Sequence, residues 1–125
     1  MESLPFATWF KDENGNFNHV NTLLLTSLDK TPEQVIGKVN REVFEADDAR
    51  QNEDGEQDVI ASGKISESTY SREKRIIKAV HFPVKDEEGK ITGTGGYKED
   101  ITSLTASLQM LHRERETLEV LLESM

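Results

Sequence analysis

Two short runs near the start of the chain, Ala7 to Lys11 and Asn16 to Val20, are rich in aromatic and β-branched residues and are separated by Asp12, Glu13, Asn14 and Gly15. That pattern predicts an antiparallel hairpin, with Asn14-Gly15 suited to positive φ at the turn. The following "NTLLLTSL" is too short and too apolar to stand alone, so Leu23, Leu24, Leu25 and Leu28 are expected to enter a core from a short helix. Thr31, Pro32, Gln34 and Gly37 supply a helix start, a capping box and a stop for one or two turns. A second short helical segment falls around Val43-Phe44. Asp47 or Asp48 is then expected to cap a longer helix ending near Ser62-Gly63. With Val59 and Ile60 pointing inward, helical spacing brings Ala49, Asn52, Glu53, Gly55 and Glu56 towards the same face. A buried carboxylate without a partner is costly, so Glu56 is expected to be hydrogen-bonded, served by water or turned to the rim.

After Gly63 the period changes from helix to strand. Lys64 to Ser71, Ile76 to Lys85 and Ile91 to Ile101 read as three β segments, the last two joined by "KDEEGK" with Gly89 at the tight position. In "IIKAVHFPV" the apolar residues occupy both parities, which implies a strand covered on both faces: helices on one, and a flanking helix or another subunit on the other. From Ile101 the pattern becomes a heptad. Ile101, Leu108, Arg115 and Leu122 take the a positions, and Leu104, Leu111, Leu118 and Met125 the d positions, leaving Arg115 as the polar seam residue. A helix of roughly 24 residues reaches about 36 Å, too long to be buried along its whole length on so small a domain. The expectation is a dimer seam through Leu104, Leu108, Leu111, Leu118 and Leu122. The other reading is an amphipathic helix folded back over the open sheet face.

Composition narrows the functional classes. The 125 residues suffice for one domain and an appendage. Cys is absent, which removes thiol nucleophiles, disulfides, Cys-ligated metals and a Cys-linked flavin adduct together. The formal charge of -9 repels phosphate backbones and anionic lipid surfaces, so neither nucleic acid nor direct membrane contact is expected. The acidic stretch Glu42 to Asp58 reads as a solvated helix face. No apolar run approaches the roughly 20 residues of a membrane span, and Met1 to Phe10 lacks the pattern of a secretion signal, so the expected location is cytoplasmic.

The order hairpin, short helices, one longer helix and three strands resembles the PAS family. The matching pieces are "FKDENGNFNHVN", "TPEQVIGK", "DDA" with "VIASGK", and "FPVKDEEGKITGTGGYKEDIT" with its terminal Asp-x-Thr step, together covering residues 5 to 102. The resemblance implies an α+β fold, a five-stranded antiparallel sheet with helices on one face around a small cavity and a C-terminal coiled-coil helix. Residues 1–102 would form the sensory domain and residues 103–125 the signalling helix. In the family the Asp-x-Thr step lies where the last strand hands over to that helix, so the resemblance assigns signal relay to Asp100 and Thr102. Independently of the family, Thr102 can N-cap the outgoing helix. The implied context is a homodimer, through the helix and the sheet face, in a bacterial signalling protein. Because the helix runs out in mid-heptad, an output domain, a histidine kinase or a diguanylate cyclase, is expected beyond residue 125. The alternative is a ligand-independent dimerisation and docking domain.

The chain carries no catalytic constellation. His19, His81 and His112 are scattered, without paired metal-ligand spacing or a nucleophile elbow, so neither catalytic nor metal-binding residues are assigned. "GTGGY" lacks the ending of a phosphate loop, and its glycines are read as allowing close packing over the sheet. His112 lacks the surroundings of a kinase phosphoacceptor. Haem-binding relatives use a His on the long helix, and residues 47–62 contain none. With haem and Cys-linked flavin set aside, a small metabolite or a noncovalent flavin remains. The candidate ligand-binding residues are Asn52, Glu56, Tyr70, Lys78 and His81; the alternative is that these are structural groups around a filled core.

Overall fold

Five strands and four α-helices follow one another in the computed structural model, which describes residues 6–124. Met125, the expected last d position, and residues 1–5 of the expected sensory domain lie outside the described residues. Strands β1 (Ala7–Asp12) and β2 (Phe17–Val20) form the opening hairpin, with Gly15 at φ 84° in its turn. Helix α1 (Thr22–Leu28) follows, then a 3-10 turn (Pro32–Gln34), α2 (Asn40–Val43) and α3 (Ala46–Ser62). Strands β3 (Ser66–Arg72), β4 (Arg75–Lys85) and β5 (Ile91–Asp100) complete an antiparallel sheet of order β2-β1-β5-β4-β3, and α4 (Thr102–Glu123) leaves it. The expected α+β architecture is the observed one.

Local chemistry explains the junctions. The buried Asn21 side chain accepts from the Leu24 amide (3.1 Å), capping α1, and from the Thr8 amide (3.0 Å), while its own amide donates to the Phe6 carbonyl (2.8 Å). One side chain thereby fixes the angle between β1 and α1. At the 3-10 turn the Thr31 amide donates to Gln34 Oε1 at 2.9 Å, as the box-like spacing predicts.

Three local expectations are corrected. Helix α3 starts two or three residues earlier than expected, with Glu45 at the N-cap, so Asp47 and Asp48 sit in its first turn, where they complement the helix dipole instead of capping it. Ile60 is 57% exposed because α3 turns Ala49, Asn52, Glu56 and Val59 inward, a stripe that Ile60 misses. Leu23 is likewise exposed; Leu24 is the buried residue of α1, with Leu25 and Leu28 packed partly against the core.

The core lies between the helices and one sheet face. Trp9, Phe17, Leu24, Val35 and Val43 form its main cluster, and Val59 and Ala79 are also fully buried. Strand alternation directs Ala7, Trp9 and Lys11 of β1 towards it, together with Gly96 and Lys98 of β5 and Ala79 and His81 of β4. Trp9, Gly96 and His81 lie side by side across three strands. A Cβ on Gly96 would meet the Trp9 indole at 2.6 Å, and one on Gly95 would meet the Phe82 ring at 2.3 Å, so the glycines of "GTGGY" do make room for rings on both faces. On the other face Phe10 packs edge-on against Phe82 (5.8 Å) and His19 (6.0 Å).

Candidate functional site

The buried interior holds an ion pair. Lys11, 2% exposed, donates from Nζ to Glu56 Oε1 and to Asn40 Oδ1, and Asn40 Nδ2 donates back to Glu56 Oε1 at 2.8 Å. The triad ties β1 to α2 and α3. Glu56 is therefore hydrogen-bonded, one of the three alternatives read from its spacing. Burial lowers the Lys11 pKa, against the opposing pull of the Glu56 carboxylate. Neither Lys11 nor Asn40 was a sequence candidate, although Lys11 shares the parity of Trp9 in β1, and that alone would have placed it inside.

Beside the triad lies a polar group of another kind. Asn52 is fully buried, and among the described residues neither end of its amide finds a hydrogen-bond partner; the same holds for Trp9 Nε1 and for His81 Nε2. The Trp9 and His81 rings meet edge-on at 5.9 Å. Burial, followed by the nearby positive charges of Lys98 and Lys11, pushes the His81 pKa down to about 4. Gly55 of α3 lets the imidazole approach: a Cβ there would stand 2.3 Å from His81 Nδ1. Gly55→Ala is thus expected to destabilise the fold by about 1–3 kcal/mol, although alanine is the better helix former. Equilibrium denaturation by urea checks this, and a stabilised variant would contradict the packing described.

Above this layer a half-open cleft of roughly 760 Å³ separates α1 and α2 from the sheet. Its apolar lining includes Leu24, Leu28, Val43, Phe44 and Ile77. Tyr70, a sequence candidate, and Lys98, which was not one, line it from the strand side. Burial raises the Tyr70 pKa. The Lys98 ammonium stands over the rings of Phe44 (5.1 Å), Tyr70 (5.7 Å) and Trp9 (5.9 Å). At the mouth Arg72 is engaged with Asp48 and with Glu45 (2.7 Å), clamping the end of β3 to the start of α3.

The five ligand candidates thus separate. Tyr70 faces the cleft; Asn52, Glu56 and His81 belong to the buried layer below it; and Lys78 lies on the opposite face of β4, paired with Glu67 at 3.3 Å. Lys78 is misplaced as a lining residue because "RIIKAVHFPV" is apolar on both parities, so its inward face cannot be read from hydrophobicity alone. Among the described residues no group of three or more His, Asp or Glu converges as a metal-donor set.

The sheet hands over to α4 through a dense joint. Asp100 Oδ1 accepts from the Thr102 amide (3.0 Å) and hydroxyl (2.6 Å), and Oδ2 accepts from Arg75 Nε and Nη2, both at 2.7 Å. The Thr102 hydroxyl in turn accepts from the Ile76 amide at 2.8 Å, and the Ile101 amide donates to the Ile76 carbonyl at 2.9 Å. Thr102 hydrogen bonds, then those of Arg75, hold the Asp100 pKa below the usual carboxylate range. The N-cap expectation for Thr102 is corrected: Ile101 occupies the cap, Thr102 is the first helical residue, and its hydroxyl points back to β4 while Asp100 serves the amide. Beyond the joint α4 runs 22 residues, about 33 Å, and buries none of them. Leu104, Leu108, Leu111, Leu118 and Leu122 are each 56–63% exposed. No helix among the described residues is long and apolar enough to cross a membrane.

Comparison with known proteins places this architecture. Solved structures that resemble it include a sensory box sensor histidine kinase from Vibrio cholerae (18% identity, TM-score 0.71, covering 79% of this chain and 83% of that one). Another is the PAS domain of BvgS from Bordetella pertussis (21% identity, TM-score 0.66, covering 93% and 91%). A third is the VqmA dimer of Vibrio cholerae (22% identity, TM-score 0.69), in which the similarity covers 82% of this chain and 49% of that one. At such identities the likeness is one of fold. No curated protein sequence matches the chain. The sequence profile of the PAS fold matches residues 1–106. The chain belongs to the PAS fold family.

Proposed function

We propose that this chain is the sensory and dimerisation module of a multidomain signalling protein, working in the cytoplasm, in which occupancy of the cleft is relayed through the end of β5 to a pair of α4 helices. The observation that carries the reading is the joint: Asp100 and Thr102 bind the start of α4 to Arg75 and Ile76 of β4. Ile77 and Asp100, directly paired across the sheet, also belong to the cleft wall. A small change of strand position at the cleft is therefore a change of helix orientation at the joint. The leucine seam of α4 supports pairing with a second copy, since a stripe of a and d residues open to water is stabilised by burial against its like. A parallel pair is the arrangement that delivers both outgoing ends to one output domain pair, of the histidine kinase or diguanylate cyclase kind. Residues 1–102 then sense, and residues 103–125 transmit.

The absence of Cys makes the test direct. Leu104→Cys and Leu118→Cys, made singly, are both expected to give disulfide-linked dimers under mild oxidation, because a parallel in-register pair brings each position to its own copy. Adding Asp100→Ala is expected to leave linkage at Leu118→Cys in place while changing its rate at Leu104→Cys, next to the loosened joint. A strictly monomeric chain overturns the proposal. Linkage rates indifferent to Asp100→Ala favour a docking domain without relay.

A further inference from the structure

Lys98 is a cleft residue whose surroundings leave its chemistry incomplete in a way that describes a ligand. Its ammonium has no hydrogen-bond or ion-pair partner among the described residues and is bounded by the faces of Phe44, Tyr70 and Trp9. An ammonium carries three donors, and ring faces satisfy its charge only in part. The other cations of the cleft are Arg72, committed to Asp48 and Glu45, and Lys30, which enters from the end of α1 without the ring faces that enclose Lys98. We infer that the cleft binds a small organic monocarboxylate, whose carboxylate accepts from Lys98 and whose apolar body lies against Leu24, Leu28, Val43 and Ile77. This deepens the sensory reading above and rests on it.

Three features fix the ligand class. The acceptor must be anionic to complete the Lys98 charge as well as its hydrogen bonds; a charge-assisted pair in a half-buried site is stronger than one to a neutral carbonyl. The ligand should carry a single negative charge, because the carboxylates around the cleft (Glu45, Asp48, Glu73, Glu99 and Asp100) outnumber its cations (Lys30, Arg72 and Lys98), and this balance disfavours dicarboxylates and phosphates. It should have a compact hydrocarbon part, because leucine and valine side chains of α1 and α2 make up the opposing wall, with Ile77 on the sheet side. Burial, then the positive charges of Arg72 and Lys11, lowers the Lys98 pKa to about 8, and a bound carboxylate raises it again. Binding is therefore strongest where Lys98 is protonated and weakens as pH rises past that value.

The chain's single tryptophan, Trp9, lies under Lys98 and reports on it by fluorescence. Titrations at pH 7 with acetate, butyrate, hexanoate and phenylacetate are compared with hexanamide and phenylacetamide. Hexanoate or phenylacetate is expected to bind about tenfold to a hundredfold more tightly than its amide, to lose that advantage at roughly pH 9.5, and to lose it also in Lys98→Met. That variant removes an unpaired, half-buried charge and so is expected to fold; should it not, the pH arm on the unaltered chain decides. Equal binding of acid and amide, or acid binding untouched by Lys98→Met, overturns the carboxylate assignment and leaves the cleft a ligand site. No binding of any of these acids at tens of millimolar overturns the assignment as well. A carboxylate that binds through Lys98 without altering cross-linking at Leu104→Cys leaves the assignment standing and overturns the relay.

Discussion

Lys11→Met is expected to lower the unfolding free energy by about 3–5 kcal/mol. Methionine fills the space of the lysine stem, so the loss is electrostatic and not a cavity. Glu56 keeps its Asn40 donor at 2.8 Å but loses its counter-ion, and α3 holds it where water does not reach easily. Asn40 also loses the proton donated to its carbonyl oxygen, so two buried acceptors are left short by one substitution. The double variant Lys11→Met/Glu56→Gln is expected to recover the greater part of the loss, because a neutral amide at position 56 can still accept from Asn40 without a charge to compensate. Urea unfolding of the single and double variants measures both quantities. A Lys11→Met chain within about 1 kcal/mol of the parent means that the triad is solvated in solution.

This triad marks how far the sequence could be read. Element order, hairpins, the capping of the 3-10 turn and the leucine heptad of α4 all follow from spacing, because each depends on residues close together in the chain. Thr31 and Gln34 meet as their separation predicts, and the Gly15 and Gly89 turns fall where glycine permits positive φ. What could not be read is which groups from distant elements complete one another. Glu56 was visible as a carboxylate in want of a partner, but its partner comes from β1, 45 residues earlier, and only the sheet register shows that Lys11 points inward.

The same reason separates Lys78 from Lys98. Both are lysines within strands, Lys78 in the apolar run "IIKAV" and Lys98 in "GGYKED". A one-residue difference in parity sends Lys78 outward to Glu67 and Lys98 inward to the aromatic faces. Asn52, by contrast, was found from helical spacing alone, since Ala49, Asn52, Glu56 and Val59 share one stripe of α3. Its unsatisfied amide was not foreseeable, because the lack of partners among the described residues is a property of how α3 packs against the sheet. At the joint, the Asp-x-Thr step located the right residues but misassigned the capping role. Helix propensity could not reveal that Ile76, from the far strand, claims the Thr102 hydroxyl.

His81 makes the domain acid-sensitive, and the direction follows from its neutral burial. In the unfolded chain an imidazole takes up its proton near pH 6.5, whereas in the fold burial and the neighbouring Lys98 and Lys11 delay that uptake to about pH 4. Between those values the unfolded state binds more protons than the native one, so stability must fall as pH falls. The contribution is complete above pH 6.5 and lost by pH 4. It amounts to about 3 kcal/mol, of which about 2 kcal/mol is already gone at pH 5. The His81 side chain cannot escape by turning away, because α3 meets it at Gly55 and the Trp9 ring closes another side. Urea unfolding free energies at pH 7 and pH 5, for the parent and for His81→Gln, isolate this contribution from the carboxylates, whose titration is common to both chains. The parent should lose about 2 kcal/mol more than the variant over that interval, and the His81 imidazole followed by NMR should remain neutral at pH 5. Equal losses in the two chains would mean that water reaches Nε2 and that the buried layer beneath the cleft is open to solvent.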